Sequence, residues 1–249
     1  MGSSGAHAAT GVASSGKMET MARPLMLFDL DGTLLDHDTA ELAAITGWIH
    51  DAGLPTEVGG VASEQIWRQI SAAAFQDYFS GRATFLEQRR IRLRRFLPQM
   101  GMDVTDMSDP DLDRQFQEYS HRYKEALRPF PDVEGCLSRL VSTHRVAVLT
   151  NGDQAKQDDK MKRTGLAALV EATIASSTLG IAKPDPAAFR ATLGRLGAPS
   201  ARAVYVGDRL DIDAQAATAA GITGIWLNRN RDRTDPGDIR TIRTLASLP

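Results

Sequence analysis

Short apolar runs recur along the chain at 24–29 (PLMLFD), 145–150 (RVAVLT), 170–176 (VEATIAS), 203–208 (AVYVGD) and 223–227 (TGIWL). Each has the length of one strand and is bounded by turn-forming residues. Near-continuous apolarity is what a strand covered on both faces requires. After the second run the stretches 154–164, 186–196 and 212–220 have helical spacing and close on Gly or a polar turn. Strand alternating with helix predicts an α/β fold, a parallel sheet with helices on both faces.

The separation of the first two runs sets the domain organisation. Residues 37–128 lie between them, whereas a βα loop usually takes roughly 2 to 6 residues. Helical patterns at 39–52, 63–79, 84–97 and 110–127 are broken at GLP, SGR and PQMGMD. They predict an α-helical cap domain at 37–128, inserted into a core made of 21–36 and 129–249. The prolines of RPFPDVEG (128–135) mark the return to the core, before a helix predicted at 134–142. The first twenty residues, small and polar, read as a disordered tail, either a leader or an extension ahead of a functional start near Met18 or Met21.

With 249 residues, net charge -2, 42% hydrophobic and 24% charged residues, the chain has the composition of a globular protein. It contains no fixed-period repeat. Near-neutral charge gives no field suited to a polyanion, despite the basic run QRRIRLRRF at 88–96, so nucleic acid is not an expected partner. Cys136 is the single cysteine, which excludes an intrachain disulfide and a paired-Cys zinc site and points to a reducing cytoplasm. The N-terminal stretch lacks the apolar segment of a signal peptide or membrane anchor, so no membrane association is expected.

Open parallel sheets bind ligands beyond the carboxyl ends of their strands. Here the first strand ends at Asp29 with Asp31 just past it, and the second at Thr150 and Asn151. The third is followed by Lys183, and the fourth ends at Gly207 and Asp208. Singly, each such acid reads as a turn former and the lysine as a surface charge. Their convergence on one edge is harder to produce by turn chemistry. Strand alternation puts Asp29 and Asp31 on one side of an extended chain, about 6 to 7 Å apart. With Asp208 beside them, several anions share one pocket, which calls for a cation, and hard oxygen donors suit Mg2+.

These motifs, FDLDGTLLD at 28–36, LTNG at 149–152, KPDP at 183–186 and VGDRLDID at 206–213, resemble those of the haloacid dehalogenase-like hydrolases, in that family's order. The resemblance implies a Rossmann-like core with an inserted helical cap. By the same resemblance Asp29 is the nucleophile that forms an aspartyl-phosphate, and Asp31 protonates the leaving alcohol and then activates water. Thr150 and the Asn151 backbone bind phosphoryl oxygens, and Lys183 neutralises charge and steadies Asp29. Mg2+ is held by the Asp29 carboxylate, the Asp31 carbonyl and Asp208, with Asp213 supporting through water or Lys183. The family's dehalogenases lack the second acid, so Asp31 favours a phosphatase acting on a small phosphate ester: a sugar phosphate, a sugar-acid phosphate or a nucleoside monophosphate. The alternatives are a phosphosugar mutase of the same superfamily and a non-catalytic binding protein on this fold. Monomer and homodimer are both open.

The remaining polar residues have plainer readings. Asp36 and Asp38 fit a turn and cap, Asp211 fits either a cap for a helix starting near Ile212 or a metal role, and His37, close to the nucleophile loop, fits an exposed turn better than a substrate contact. On a helix at 84–97, Phe85, Arg89, Arg92 and Phe96 share a face flanked by Leu86, Leu93 and Leu97. Arg89 and Arg92 then either approach substrate or, the preferred reading, pair with acids on a surface helix. Trp48, Trp67, Phe75, Tyr78 and Phe79 read as cap core. An EF-hand does not fit the spacing of DLDGTLLDHD, and a two-carboxylate glycosidase leaves Lys183, Thr150 and Asp208 unexplained.

Overall fold

A computed structural model describes residues 23–249. The tail expected over residues 1–20 lies outside the described residues, as does the Phe79 side chain. The chain divides into two compact units, one comprising the residues up to Leu34 with Pro131–Pro249, the other Leu35–Phe130. It begins with β1 (Leu25–Phe28). The helical unit contains α1 (His37–Asp51), the short antiparallel pair β2 (Glu57–Val58) and β3 (Val61–Ala62), and α2 (Ser63–Phe79). It continues with α3 (Phe85–Phe96), a 3-10 turn at Leu97–Met100, and α4 (Asp109–Ala126). The first unit resumes with α5 (Val133–Leu140), β4 (Arg145–Thr150), α6 (Gln154–Arg163), β5 (Ala172–Ala175) and the one-turn α7 (Ser176–Leu179). It ends with α8 (Pro186–Leu196), β6 (Ala203–Gly207), α9 (Ala216–Ala219), β7 (Thr223–Leu227) and β8 (Arg240–Ile242).

The sheet is parallel throughout, in the order β5-β4-β1-β6-β7-β8. Phe28 stands opposite both Val148 and Val206, so β1 ends two residues short of β4 and one short of β6. That register brings Asp29 to the middle of the edge, where its N–H donates to the Val206 carbonyl at 2.9 Å. Alternate residues Leu25, Leu27, Ala147, Leu149, Ala203 and Tyr205 face Phe189, Leu193, Ala216 and Ala217 on one side. Met26, Phe28, Val146, Val148 and Val206, pointing the other way, are buried too. Two covered faces account for the unbroken apolar runs. The sixth strand, β8, is three residues long with Arg240 exposed, too short and too polar to leave a periodic signal.

The helix expected over 212–220 forms differently. A π turn at Leu210–Gln215 precedes the single turn of α9. The Asp213 carboxylate accepts the Arg209 N–H at 3.0 Å. Gly207 and Gly224 leave this segment pressed on the sheet, since a Cβ on the first would strike Asp213 and one on the second the Ala214 carbonyl. Widened turns of this kind occur at functional sites. Asp211 is therefore not the cap expected of it: it lies inside the turn, exposed, 3.3 Å from Arg209.

The helical unit has its own core. Trp67 sits among Trp48, Phe96, Phe116 and Tyr119, with ring centroids 4.7 to 6.2 Å away, while Phe75 and Tyr78 are half-buried at its edge. Thr84 and Glu87 close a capping box on α3. Surface pairs on this helix are made by Arg90, with Asp109 and Asp113, and by Arg94, with Asp109. Arg92 meets an acid too, but in the interior and not on the surface expected of it: it is 3% exposed, its guanidinium 4.4 Å from the Trp67 ring centre and 3.4 Å from Glu41. A guanidinium is weakly hydrated and stacks on aromatic faces, which suits it to this interior. Arg89 lies over Phe85 and Phe116, and Leu86 turns outward instead of joining the apolar stripe. Asp36 caps α1 by accepting the Thr39 N–H. His37 is the first residue of α1, not an exposed turn, and its Nδ1 is 2.8 Å from the Tyr123 hydroxyl.

Candidate active site

Lys183 organises the carboxyl edge of the sheet. Its ammonium donates at 2.6 Å to Asp29 Oδ1, to Asp213 Oδ1 and to the Tyr205 hydroxyl. All three donor positions are used. Tyr205 donates onward to the Leu149 carbonyl at 2.9 Å. Burial works against the lysine's charge, but Asp213 and Asp29 outweigh it and raise its pKa. The loop carrying Lys183 is itself held by Asn151, whose amide donates to the Lys183 carbonyl at 2.8 Å and whose Oδ1 accepts the Lys183 N–H at 2.9 Å. The Asn151 side chain is thus committed to the loop, while Thr150 stands beside it with its hydroxyl accepting from Gln157 at 3.0 Å.

Asp29, Asp208 and Asp213 each place an oxygen within 4.8 Å of the others. Asp213 has both oxygens engaged, one by Lys183 and one by the Arg209 N–H. Asp29 and Asp208 are the less satisfied pair. Burial raises the pKa of Asp29, with Asp213 and Asp31 adding to it against the pull of Lys183. Burial likewise raises that of Asp208, reinforced by Asp29 and Asp213. A buried and a half-buried carboxylate whose ionised forms disfavour each other fit a cation, and all-oxygen donors suit Mg2+. Thr33 donates to Asp208 Oδ1 at 3.3 Å, and the Trp226 indole donates to the Asp208 carbonyl at 2.9 Å. Gly32, at φ +86°, is required here: a Cβ would come within 2.6 Å of Asp208 Oδ2.

The strand ends at Phe28 and the chain bends at Leu30, so Asp31 follows on the loop beyond Asp29. Asp31 turns its Oδ2 to Lys160 of α6, 2.5 Å away. The two acids thus lie near enough for Asp31 to act on the Asp29 charge, yet each is held by a different lysine.

A family model described as haloacid dehalogenase-like hydrolase matches residues 24–221. The chain belongs to this family. Across 83% of its length it is 31% identical to the glyceraldehyde 3-phosphate phosphatase of Methanopyrus kandleri, of which it covers 84%. It is 25% identical to a pyrimidine 5'-nucleotidase of Escherichia coli, over 90% of this chain and 93% of that protein. The crystal structure of a 2-haloacid dehalogenase from Pseudomonas syringae superposes with a TM-score of 0.66 at 30% identity, covering 91% of this chain and 96% of that one.

Within this haloacid dehalogenase-like enzyme, Asp29, Lys183, Asp208 and Asp213 come together, and Thr150 and Asn151 stand on the adjoining strand end. The sequence reading missed Lys160, Tyr205 and Gln157. Lys160 falls one turn beyond Gln157 on α6, in a run of basic residues that looks like any solvated helix face. Tyr205 sits inside an apolar strand, where its hydroxyl is hidden among core positions. No helix among the described residues is long and apolar enough to cross a membrane.

Proposed function

We propose that this hydrolase cleaves a small-molecule phosphate monoester with Mg2+, through an aspartyl-phosphate on Asp29. The observation that carries the reading is the separation of the two acids: Asp29 on Lys183, Asp31 on Lys160, each 2.5 to 2.6 Å from its lysine. Two carboxylates in different environments can take two roles. Lys183 occupies Oδ1 of Asp29 and leaves Oδ2 to attack phosphorus. As the Oδ2–P bond forms, the bond from phosphorus to the leaving oxygen breaks, and Asp31 gives that oxygen its proton. Asp31 then takes a proton from water, which attacks phosphorus and frees Asp29 and inorganic phosphate. The Thr150 hydroxyl and the backbone at Asn151 receive the phosphoryl oxygens. Mg2+, assigned to Asp29, Asp208 and the Asp31 carbonyl, supplies the positive charge that lets an anionic phosphate meet these acids. Asp213 serves by fixing Lys183.

Similarity to a triose-phosphate phosphatase and to a nucleotidase supports sugar phosphates and nucleoside monophosphates as the substrate class. Choice among them is assigned to the helical unit Leu35–Phe130, acting as a cap. The buried, unpaired Cys136 fits a cytoplasmic setting.

Phosphate release from an aryl phosphate, with and without Mg2+, tests the reading. The wild type turns over only with Mg2+, and Asp29→Asn loses more than about a thousandfold in kcat. Equal activity in the two proteins contradicts it, and phosphate moved between sugar carbons without release would identify a mutase.

A further inference from the structure

Arg229 lies just beyond β7, away from every motif discussed so far, yet it reaches the loop that carries both catalytic acids. Its guanidinium grips Asp132 with two bonds of 2.9 Å, and one of those nitrogens also donates to the Thr33 carbonyl at 3.0 Å. Asp132 is held in turn by the Thr244 hydroxyl at 2.6 Å and the Leu245 N–H at 2.8 Å. Arg229 and Asp132 are largely shielded, with side chains 15% and 17% exposed. Thr33 is fully buried and donates to Asp208.

The positions of these residues in the chain give the contact its meaning. Thr33 is the second-last residue before the chain leaves the first unit, at Leu34, and Asp132 is the second residue after it returns, at Pro131. Asp29 and Asp31 therefore stand on a loop whose far end continues into a separate body. A forked guanidinium with five donors can hold both ends of that excursion at once, which a lysine ammonium cannot do in the same geometry.

We infer that Arg229 is a positioning residue for catalysis: by fixing the Thr33 carbonyl to Asp132 it holds the 29–33 loop, and Thr33 against Asp208, in reactive register. This rests on the phosphatase reading. Displacement of reacting groups by about 1 Å costs on the order of a hundredfold, so Arg229→Met is expected to lower kcat on an aryl phosphate roughly ten- to hundredfold while KM changes little.

Thr244→Val is the control, because it loosens Asp132 from the opposite side without touching Thr33. It is expected to lower the melting temperature but leave kcat within about twofold. Amide hydrogen exchange over residues 30–36 should quicken in Arg229→Met and not in Thr244→Val. Arg229→Lys, which keeps the charge against Asp132, should recover most of the stability but not the rate. The inference is overturned if folded Arg229→Met matches wild-type kcat, if Arg229→Lys restores it fully, or if both Arg229→Met and Thr244→Val lose rate in proportion to stability. Failure of the wild type to release phosphate would instead overturn the phosphatase reading.

Discussion

Asp132 shows how one side chain couples the fold to acid. Burial pushes its pKa up, but hydrogen bonds from Arg229, Thr244 and the Leu245 N–H outweigh burial and hold it below the usual carboxylate value. A carboxyl whose folded pKa is depressed stabilises the protein above its unfolded value, about 3.9, and that contribution is lost as pH falls through the folded value. Hydrogen bonds to a charged group are worth about 1.5 to 3 kcal/mol each. Asp132→Asn should therefore cost about 2 to 4 kcal/mol at neutral pH, by denaturant titration. The gap between the two proteins should narrow below about pH 4, and a gap constant down to pH 2 would contradict this assignment. The same contrast of burial against partners explains which residues were legible beforehand. Asp29 and Asp208 were found because they close apolar strand ends, and Lys183 because it follows the third apolar run in the KPDP motif. Arg92 was misjudged because its sequence neighbours are solvated arginines, while its partners Trp67, Glu41 and Tyr119 come from other helices.

At the scale of elements, local chemistry sets the boundaries well. Ser108 with Asp111 and Thr84 with Glu87 form capping boxes where α4 and α3 begin. Asp36 caps α1, which separates it from the two acids only a few residues before it. Asp36→Ala should cost about 1 kcal/mol of stability and leave kcat unchanged. A thermal melt alongside an activity assay checks this, and a large loss of rate would place Asp36 in the site. The element that sequence could not resolve is the π turn at Leu210–Gln215. Its spacing reads as helix, but Asp213 is drawn to Lys183 from a loop 30 residues away. Periodicity cannot report a contact of that kind.

For the whole molecule, the parallel sheet was legible because apolar runs alternate with helical stretches, and each of the two compact units carries its own apolar core. The strand order was not legible, since the sequence of runs does not say that β1 lies between β4 and β6. That central place puts Asp29 between the ends of its two neighbours, and the whole account turns on Asp29 carrying the phosphoryl group. The most direct measurement is rapid acid quench during turnover of a phosphate ester with Mg2+, then borohydride reduction and peptide mass spectrometry. An acyl phosphate at Asp29 would be recovered as homoserine at that position, only when substrate and Mg2+ are both present. Unmodified Asp29 under turnover, or reduction at Asp31 instead, would contradict the account.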